Sequence, residues 1–499
     1  MGYTEIFVTI ILALLLFLAH QNRLFPWNWP LIKLVPTLYL KSHELYDKIT
    51  QILTENNSTI VFKTSWFTKT DILVTSDPAN VQHILNSRYS IYQRGSEFRK
   101  AFDFFGNAIF LKDIEEWKEE KKFTHAFYKE NQFHKTYFKV IHQTLEKSLI
   151  PVLDHMSLQS QVLDMQILFN RYMLDTTCLL VTGSDPGSLR IGFPKSPLLD
   201  AMDDMAEIVF CRHILPERVW KLQRWLGIGK EKKTAKACNI LNQTIADYVY
   251  EKQELAAMNQ ENGDDFDVLK FYLSKAVTKG SMKYTEKGFL AANVMTLLYA
   301  GRDTSAALLT WFFYLISRNP LAEKKILAEI RQNFPPRKHF LPSAEELSKL
   351  LYLHCALCES LRLFPTTPVV IREPIKEDVL PSGHRVDENT KVILCSYAMG
   401  RMPEIWGEDC KEFKPERWML AGKGGIKHVG SNRFLGFGSG PWACPGKELA
   451  FTRMKAVAAT ILHNFNVEVV PAGQTVCPGV SAVLTVKHGL KAIVSSKWI

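Results

Sequence analysis

One cysteine closes a glycine-rich loop and is followed at once by a helix-forming stretch. The loop runs Phe434-Leu435-Gly436-Phe437-Gly438-Ser439-Gly440-Pro441-Trp442-Ala443-Cys444-Pro445-Gly446, and apolar residues then recur at helical spacing from Lys447 to Val457. A sulfur at this point sits at or just before a helix N-terminus, where unpaired N–H groups and the helix dipole favour negative charge. The glycines let the backbone approach a flat ligand more closely than side chains would permit. Two readings fit: a thiolate offered as axial ligand to a haem iron, or a buried free cysteine in a turn. The loop alone does not separate them.

The chain has 499 residues, room for one very large domain or two or three ordinary ones. With 46% hydrophobic and 22% charged residues it has the composition of a globular protein with a large core. A net charge of +10 calls for an anionic partner. No run of Lys/Arg alternates with aromatics, so nucleic acid is the weakest of three candidates, behind a membrane surface and an acidic protein, and none is expected as partner. Nine cysteines, an odd number without a short repeating framework, indicate free thiols in a reducing compartment. The pair Cys355-x-x-Cys358 has no second pair to complete a zinc site and is read as helix packing.

Ile6 to Ala19 is apolar apart from Thr9, and no basic residue precedes it. That favours a retained anchor over a cleaved signal. His20, Arg23 and Lys33 place the downstream domain on the cytoplasmic side, and Trp27 and Trp29 suit the interface. Pro26, Pro30 and Pro36 make a stiff connector. The expected division is an anchor over 1–24, a hinge over 25–41 and one domain over 42–499.

In that domain, 42–54 reads as amphipathic helix and Thr59–Thr64 and Asp71–Thr75 as strands, with Asp77-Pro78 opening a further helix. Long helical patterns come next, around 115–150, 160–182, 196–212, 234–258, 284–318 and 344–363. Polar text between Tyr250 and Lys279 reads as a surface loop. Strand signals return at Lys391–Leu394, Ala482–Val486 and Lys491–Val494. The expected fold class is mainly α with a minor β portion, in a single large domain.

Further stretches carry chemistry. Met295–Trp311 is nearly apolar but contains Gly301-Arg302-Asp303-Thr304. Glycine, aspartate and threonine in mid-helix are a local conflict of the kind found at functional sites. Either this is a polar notch on a buried helix, or a groove over a cofactor in which Gly301 admits a small ligand while Thr304 and Asp303 handle protons. Glu359 and Arg362 share a helical face. Leu363 to Pro368 then stops that helix and turns the chain into an extended segment holding Arg372. Arg417, in Phe413-Lys414-Pro415-Glu416-Arg417-Trp418, could join Glu359 and Arg362 in a buried network, unless these are unrelated surface pairs. Gly436-x-Gly438-x-Gly440 lacks the strand and the downstream acid of a dinucleotide loop. Cys477-Pro478-Gly479 lacks the glycines and helix that surround Cys444.

Taken in order, the anchor and proline hinge, Trp117 on an early helix, Ala300 to Thr304, Glu359-x-x-Arg362, Pro415 to Trp418 and Phe437 to Gly446 resemble a microsomal cytochrome P-450. The resemblance covers essentially the whole chain. It implies the cytochrome P-450 fold and a monooxygenase with haem b, O2 and electrons from NADPH through a reductase, with cytochrome b5 as a second donor. It implies Cys444 as iron ligand; Trp117, Lys121, Arg372, Phe437, Gly438, Trp442 and Gly446 around the haem; Thr304, Asp303 and Gly301 in dioxygen activation; and Glu359, Arg362 and Arg417 as a structural triad. It also implies an endoplasmic-reticulum membrane location with the catalytic domain in the cytosol.

Segments such as Leu180 to Pro186, Arg212 to Pro216, Trp220 to Gly227, Asp378 to His384 and Val486 to Leu490 resemble plant mid-chain alkane hydroxylases of the fatty-acid omega-hydroxylase clan. Some relatives of that subfamily couple phenols in alkaloid biosynthesis. The expected substrate is a long-chain alkane or fatty acid, with oxidation or phenol coupling of an alkaloid-type metabolite as the alternative and a non-oxidative haem-thiolate isomerase behind both. Phe104, Phe105, Met295, Ala300, Val369 and Val370 are the candidate pocket. Trp442 and Lys121 depart from the family pattern, which usually has arginine at both positions. Lys121 keeps the charge without the planar fork, and Trp442 keeps only an indole N–H donor. Both changes predict weaker haem retention, which Trp442→Arg would restore.

Overall fold

The helix Lys287–Ser317 runs 31 residues through the centre of the molecule and organises the rest. Its second half is buried on nearly every side, from Ser305 to Phe313, as an all-round apolar helix must be. The chain is seen as a computed structural model describing residues 44–62, 71–257, 266–279, 286–388, 390–420, 424–471, 476–479 and 481–498. The expected anchor, the hinge and residues Lys63 and Thr64 lie outside them.

Around the central helix pack Met165–Thr182, Pro197–Ile214, Thr234–Ala257, Leu351–Leu363 and Lys447–Asn464. Each has a local reason to start or stop. Asp164 accepts from the N–H groups of Gln166 and Ile167, and Gly183 ends the same helix at φ 75°, a left-handed cap. Ser343 and Glu346 form a capping box before Ala344–Lys349. Asp77 caps the helix opened by Pro78, as expected.

Strands β1 (Thr59–Phe62), β2 (Ile72–Thr75), β3 (Tyr92–Gln93), β4 (Val162–Asp164), β5 (Val370–Pro374), β6 (Asp378–Val379), β7 (Arg385–Val386), β8 (Lys391–Leu394), β9 (Phe465–Val469) and β10 (Lys491–Ser496) form the minor part. The largest sheet has the order β1-β2-β8-β5-β3, with β4-β10-β9 and β6-β7 as smaller sheets. Parallel pairing of β2 with β8 brings residues more than 300 positions apart into register, Ile72 opposite Lys391. The fold is therefore mainly α with a minor β portion.

Some sequence expectations are corrected. The 115–150 pattern breaks into Ile114–Thr124, a short turn at Ala126–Lys129 and Asn131–Thr144, and the break carries Phe127 and Tyr128 to a central cavity. Residues 162–164 are strand, because they pair with β10. Val268–Lys279 is helix rather than loop, since Val268, Leu269, Tyr272 and Ala276 supply a buried stripe among polar neighbours. Ala482–Val486 is not a strand. Its backbone is committed elsewhere, with the Leu484 N–H on Thr366 and the Leu484 carbonyl taking the Trp311 indole at 2.7 Å, which leaves an isolated bridge between Val486 and Pro478.

Candidate active site

The cysteine loop is fixed by its own backbone. The Cys444 N–H donates to Phe437 at 2.7 Å, the Gly438 N–H to Leu435 and the Ala443 N–H to Gly440. Gly438 takes φ 72°, with the Trp442 carbonyl 3.3 Å from where a Cβ would stand; an L side chain there would be strained. The helix Lys447–Asn464 starts directly after Gly446, so the expected position of the sulfur near a helix N-terminus holds. Burial pushes the Cys444 thiol upward and the Gly446 N–H draws it back. The net direction is upward, and a bound metal cation would reverse it.

Cys444 opens onto a cavity of about 440 Å3. Thr304, Gly301 and Ala300 from the central helix, Trp117 and Lys121 from Ile114–Thr124, Val370 and Arg372 from β5, and Phe437, Gly438, Trp442 and Gly446 from the loop line it as well. Distant regions of the sequence thus meet on one space. Phe104, Phe105, Met295 and Val369 are not among its lining residues. Phe105 packs on Phe110 and Tyr299, Met295 is in the main core, and Val369 packs on the core beneath β1 and β2.

The triad forms without touching the cavity. Glu359 accepts from Arg362 Nε and Nη2, both at 2.7 Å, from Arg417 Nε at 3.3 Å, from the Trp418 indole at 2.9 Å and from the Lys414 N–H at 2.9 Å. Arg362 and Glu359 are fully buried and paired. Arg362 also donates to the carbonyls of Gly400, Cys410 and Glu412. Trp418 then meets Phe434 at 4.7 Å, edge to face, so the network grips the start of the cysteine loop. Leu361, on the same helix, reaches the cavity.

The notch on the central helix differs from its sequence reading. The helix runs unbroken through it. A Cβ on Gly301 would fall 2.8 Å from Thr177 Cγ2 and 2.9 Å from Thr177 Oγ1, so this glycine lets the neighbouring helix come close, while the residue also lines the cavity. The Thr304 hydroxyl donates to the Ala300 carbonyl at 2.9 Å. Asp303 is outside the cavity lining and pairs with Arg302 at 2.8 Å, while Arg302 also holds Asp203 at 2.5 Å. Burial raises the Asp303 carboxyl to about 6, with Arg302 opposing and Asp203 adding to the rise.

The cavity wall also carries a cluster of cations, Arg94, Lys121 and Arg372, without carboxylate partners among the described residues. β3 and β5 pair Gln93 with Glu373, and one step further along this antiparallel register puts Arg94 beside Arg372. Like charges in that position repel. Burial lowers Arg94 to about 10, and burial with Arg94 as neighbour lowers Arg372 further. Nε of each arginine and the indole nitrogen of Trp442 are buried with no hydrogen-bond partner among the described residues. Both guanidinium carbons lie over the Trp442 ring, at 5.5 and 5.6 Å, and that ring is 4.2 Å from Trp117. Lys121 donates to the Pro441 carbonyl at 2.9 Å.

Unpaired donors of this kind ask for an anion with several acceptors. A flat macrocycle carrying two carboxylates on one edge, ligated by Cys444, meets that demand, so the residues present fit haem. Sequence reasoning missed Arg94. Its only local signal is the following Gly95, and its importance comes from strand pairing across the chain.

The family model for cytochrome P450 matches residues 25–490. The chain is 38% identical to alkane hydroxylase MAH1 of Arabidopsis thaliana, over 94% of this chain and 93% of that protein. It is 34% identical to noroxomaritidine synthase of Narcissus aff. pseudonarcissus MK-2014, over 100% of this chain and 97% of that protein. It is 33% identical to cytochrome P450 86B1 of Arabidopsis thaliana, over 93% and 84%. A family match across the chain, hydroxylase and synthase relatives, and one cysteine facing a cavity that suits haem agree: the chain belongs to the cytochrome P450 family and is an oxidoreductase of the monooxygenase kind.

Proposed function

We propose that this enzyme inserts one oxygen atom from O2 into a C–H bond of a long-chain aliphatic substrate, an alkane or a fatty acid. The observation that supports this is the cavity lining, in which Ile109, Phe110, Leu297, Leu308 and Val370 join Thr304 and supply apolar wall. When bound, haem supplies dioxygen activation, with its thiolate ligand favouring O–O cleavage and electrons drawn from NADPH through a reductase. Cys444 would hold the iron, and Arg94, Arg372, Lys121 and Trp442 would hold the carboxylate edge. Thr304 presents a hydroxyl at the cavity wall. Asp303, next to it in the chain, has a carboxyl that burial raises to about 6, which suits it to exchange a proton behind that wall, against Arg302. The apolar wall excludes water from the reacting carbon.

Oxidation or phenol coupling of a specialised metabolite is the second reading, supported by the synthase relative matched along the full chain and by Asn293 and Thr296 on the cavity wall. Spectral titration of the haem protein with long-chain alkanes, fatty acids and phenolic alkaloid precursors separates the two. Tight, productive binding by the phenolic compounds alone refutes the aliphatic reading. Turnover without NADPH and reductase would point instead to an isomerase.

Membrane attachment belongs to the same proposal, with 1–24 as anchor, 25–41 as hinge and 42–499 as catalytic domain on the cytosolic side of the endoplasmic reticulum, and with cytochrome b5 as a second electron donor. Among the described residues no helix is long and apolar enough to cross a membrane. The helix Glu217–Leu226 does leave Leu222, Trp225 and Leu226 exposed, Trp225 by 81%, beside Arg218, Lys221 and Arg224. That composition suits an anionic lipid surface. Co-sedimentation of a form lacking residues 1–41 with anionic vesicles tests it, and W225S should weaken the binding.

A further inference from the structure

Arg453 lies on the helix that follows the cysteine loop, with its side chain 5% exposed and on the wall of the same cavity as Cys444 and Thr304. Its Nη1 donates to Thr176 Oγ1 at 3.2 Å and to Thr177 Oγ1 at 2.9 Å. Its Nη2 donates to the Gly301 carbonyl and to Ser305 Oγ at 3.4 Å. Among the described residues Nε has no partner and no carboxylate pairs with this guanidinium. A buried cation left uncompensated is costly. Every acceptor it does have is neutral.

Those acceptors lie behind the notch. Thr176 and Thr177 give their own hydroxyl hydrogens to Tyr172 and Met173, so they meet Arg453 as acceptors only. In a regular helix the Gly301 carbonyl serves the Ser305 N–H alone; here it also serves Arg453. The preceding carbonyl, Ala300, takes the Thr304 hydroxyl. Arg453 therefore ties the dioxygen-facing segment to the Met165–Thr182 helix across the contact where Gly301 has no Cβ.

We propose that Arg453 is a positioning residue with an electrostatic part. It fixes the Gly301–Thr304 segment through the Gly301 carbonyl, and its uncompensated charge makes the haem iron easier to reduce. This rests on the haem reading of the site. A positive charge in a low-dielectric wall favours the reduced, less positive iron, and the fork of bonds fixes the direction in which Thr304 Oγ1 points.

The test uses the haem-loaded full chain and R453M and R453K. The readouts are the midpoint potential from redox titration and the rate at which oxygen reoxidises the reduced protein. R453M is expected to shift the potential negative and to speed reoxidation. R453K should return the potential toward wild type, because charge is kept, but not the reoxidation rate, because the fork is lost. Should R453M fail to accumulate with haem, T177V removes one acceptor and keeps the charge; it should speed reoxidation at unchanged potential. Unchanged potential in R453M at wild-type haem content overturns the electrostatic part, and unchanged reoxidation in both R453M and T177V overturns the positioning. A wild-type protein whose reduced carbon-monoxide spectrum lacks the far-red-shifted thiolate band would overturn the haem reading itself, and with it this inference.

Discussion

Replacing Arg94 by methionine should act with opposite sign on the haem-free and haem-loaded protein. Without an anion, burial lowers the guanidinium to about 10, which corresponds to a cost on the order of 3 kcal/mol for keeping the charge there. Contacts with the rings of Phe98 and Trp442, at 5.1 and 5.5 Å, return about 1 kcal/mol. R94M should thus leave haem-free protein more stable, by about 2 kcal/mol. In the loaded protein the same change removes a charge-assisted hydrogen bond to a carboxylate, worth about 2 kcal/mol. Haem loss should then be roughly thirty-fold faster. Transfer of haem from the purified protein to an excess of apomyoglobin gives the rate, and urea unfolding of haem-depleted protein gives the other sign. If R94M destabilises the haem-depleted chain while haem transfer stays at the wild-type rate, Arg94 is a packing residue and does not hold an anion.

The same cluster changes what is expected of Trp442→Arg. A third guanidinium would crowd Arg94 and Arg372 and lose the Trp117 contact, so no gain in haem occupancy on purification is expected, in contrast to the expectation from the family pattern. E359Q removes a charge from the buried network while Arg362 and Arg417 remain; it should cost about 3–5 kcal/mol in urea unfolding and lower the yield of haem protein. G301A forces a methyl against Thr177 and should cost about 1–3 kcal/mol, with G301A/T177A recovering most of it. His213 packs edge-on against Phe98 and Phe102, 5.7 and 5.4 Å away, and burial lowers it to about 4. Its ring stays neutral in the folded state while the unfolded chain takes up a proton, so its stabilisation is complete above the ordinary histidine value and is lost as pH falls toward 4. H213F should remove about 2 kcal/mol of the stability difference between pH 7 and pH 5.

Several parts of this protein are determined by the sequence alone, because they are local. The Cys444 loop, the helix after it and the Glu359/Arg362 spacing are set by neighbours a few residues away, where turn chemistry and helical periodicity act. The mainly α class comes from the same periodicity. Helix Val268–Lys279 is hidden because its buried stripe is set in polar text, and Ala482–Val486 looks like a strand because β propensity cannot show that Leu484 is bonded to Thr366 and Trp311. The tertiary structure decided the roles of side chains whose partners are distant. Gly301 is a packing glycine because Thr177, more than a hundred residues earlier, occupies its Cβ position. Arg94 becomes part of the cation cluster through β3–β5 pairing. Arg453 reads as one cation on an apolar helix until the fold places Thr176, Thr177 and Gly301 around it. Charge and hydrogen bonding depend on distance in space, and only the closed fold sets those distances.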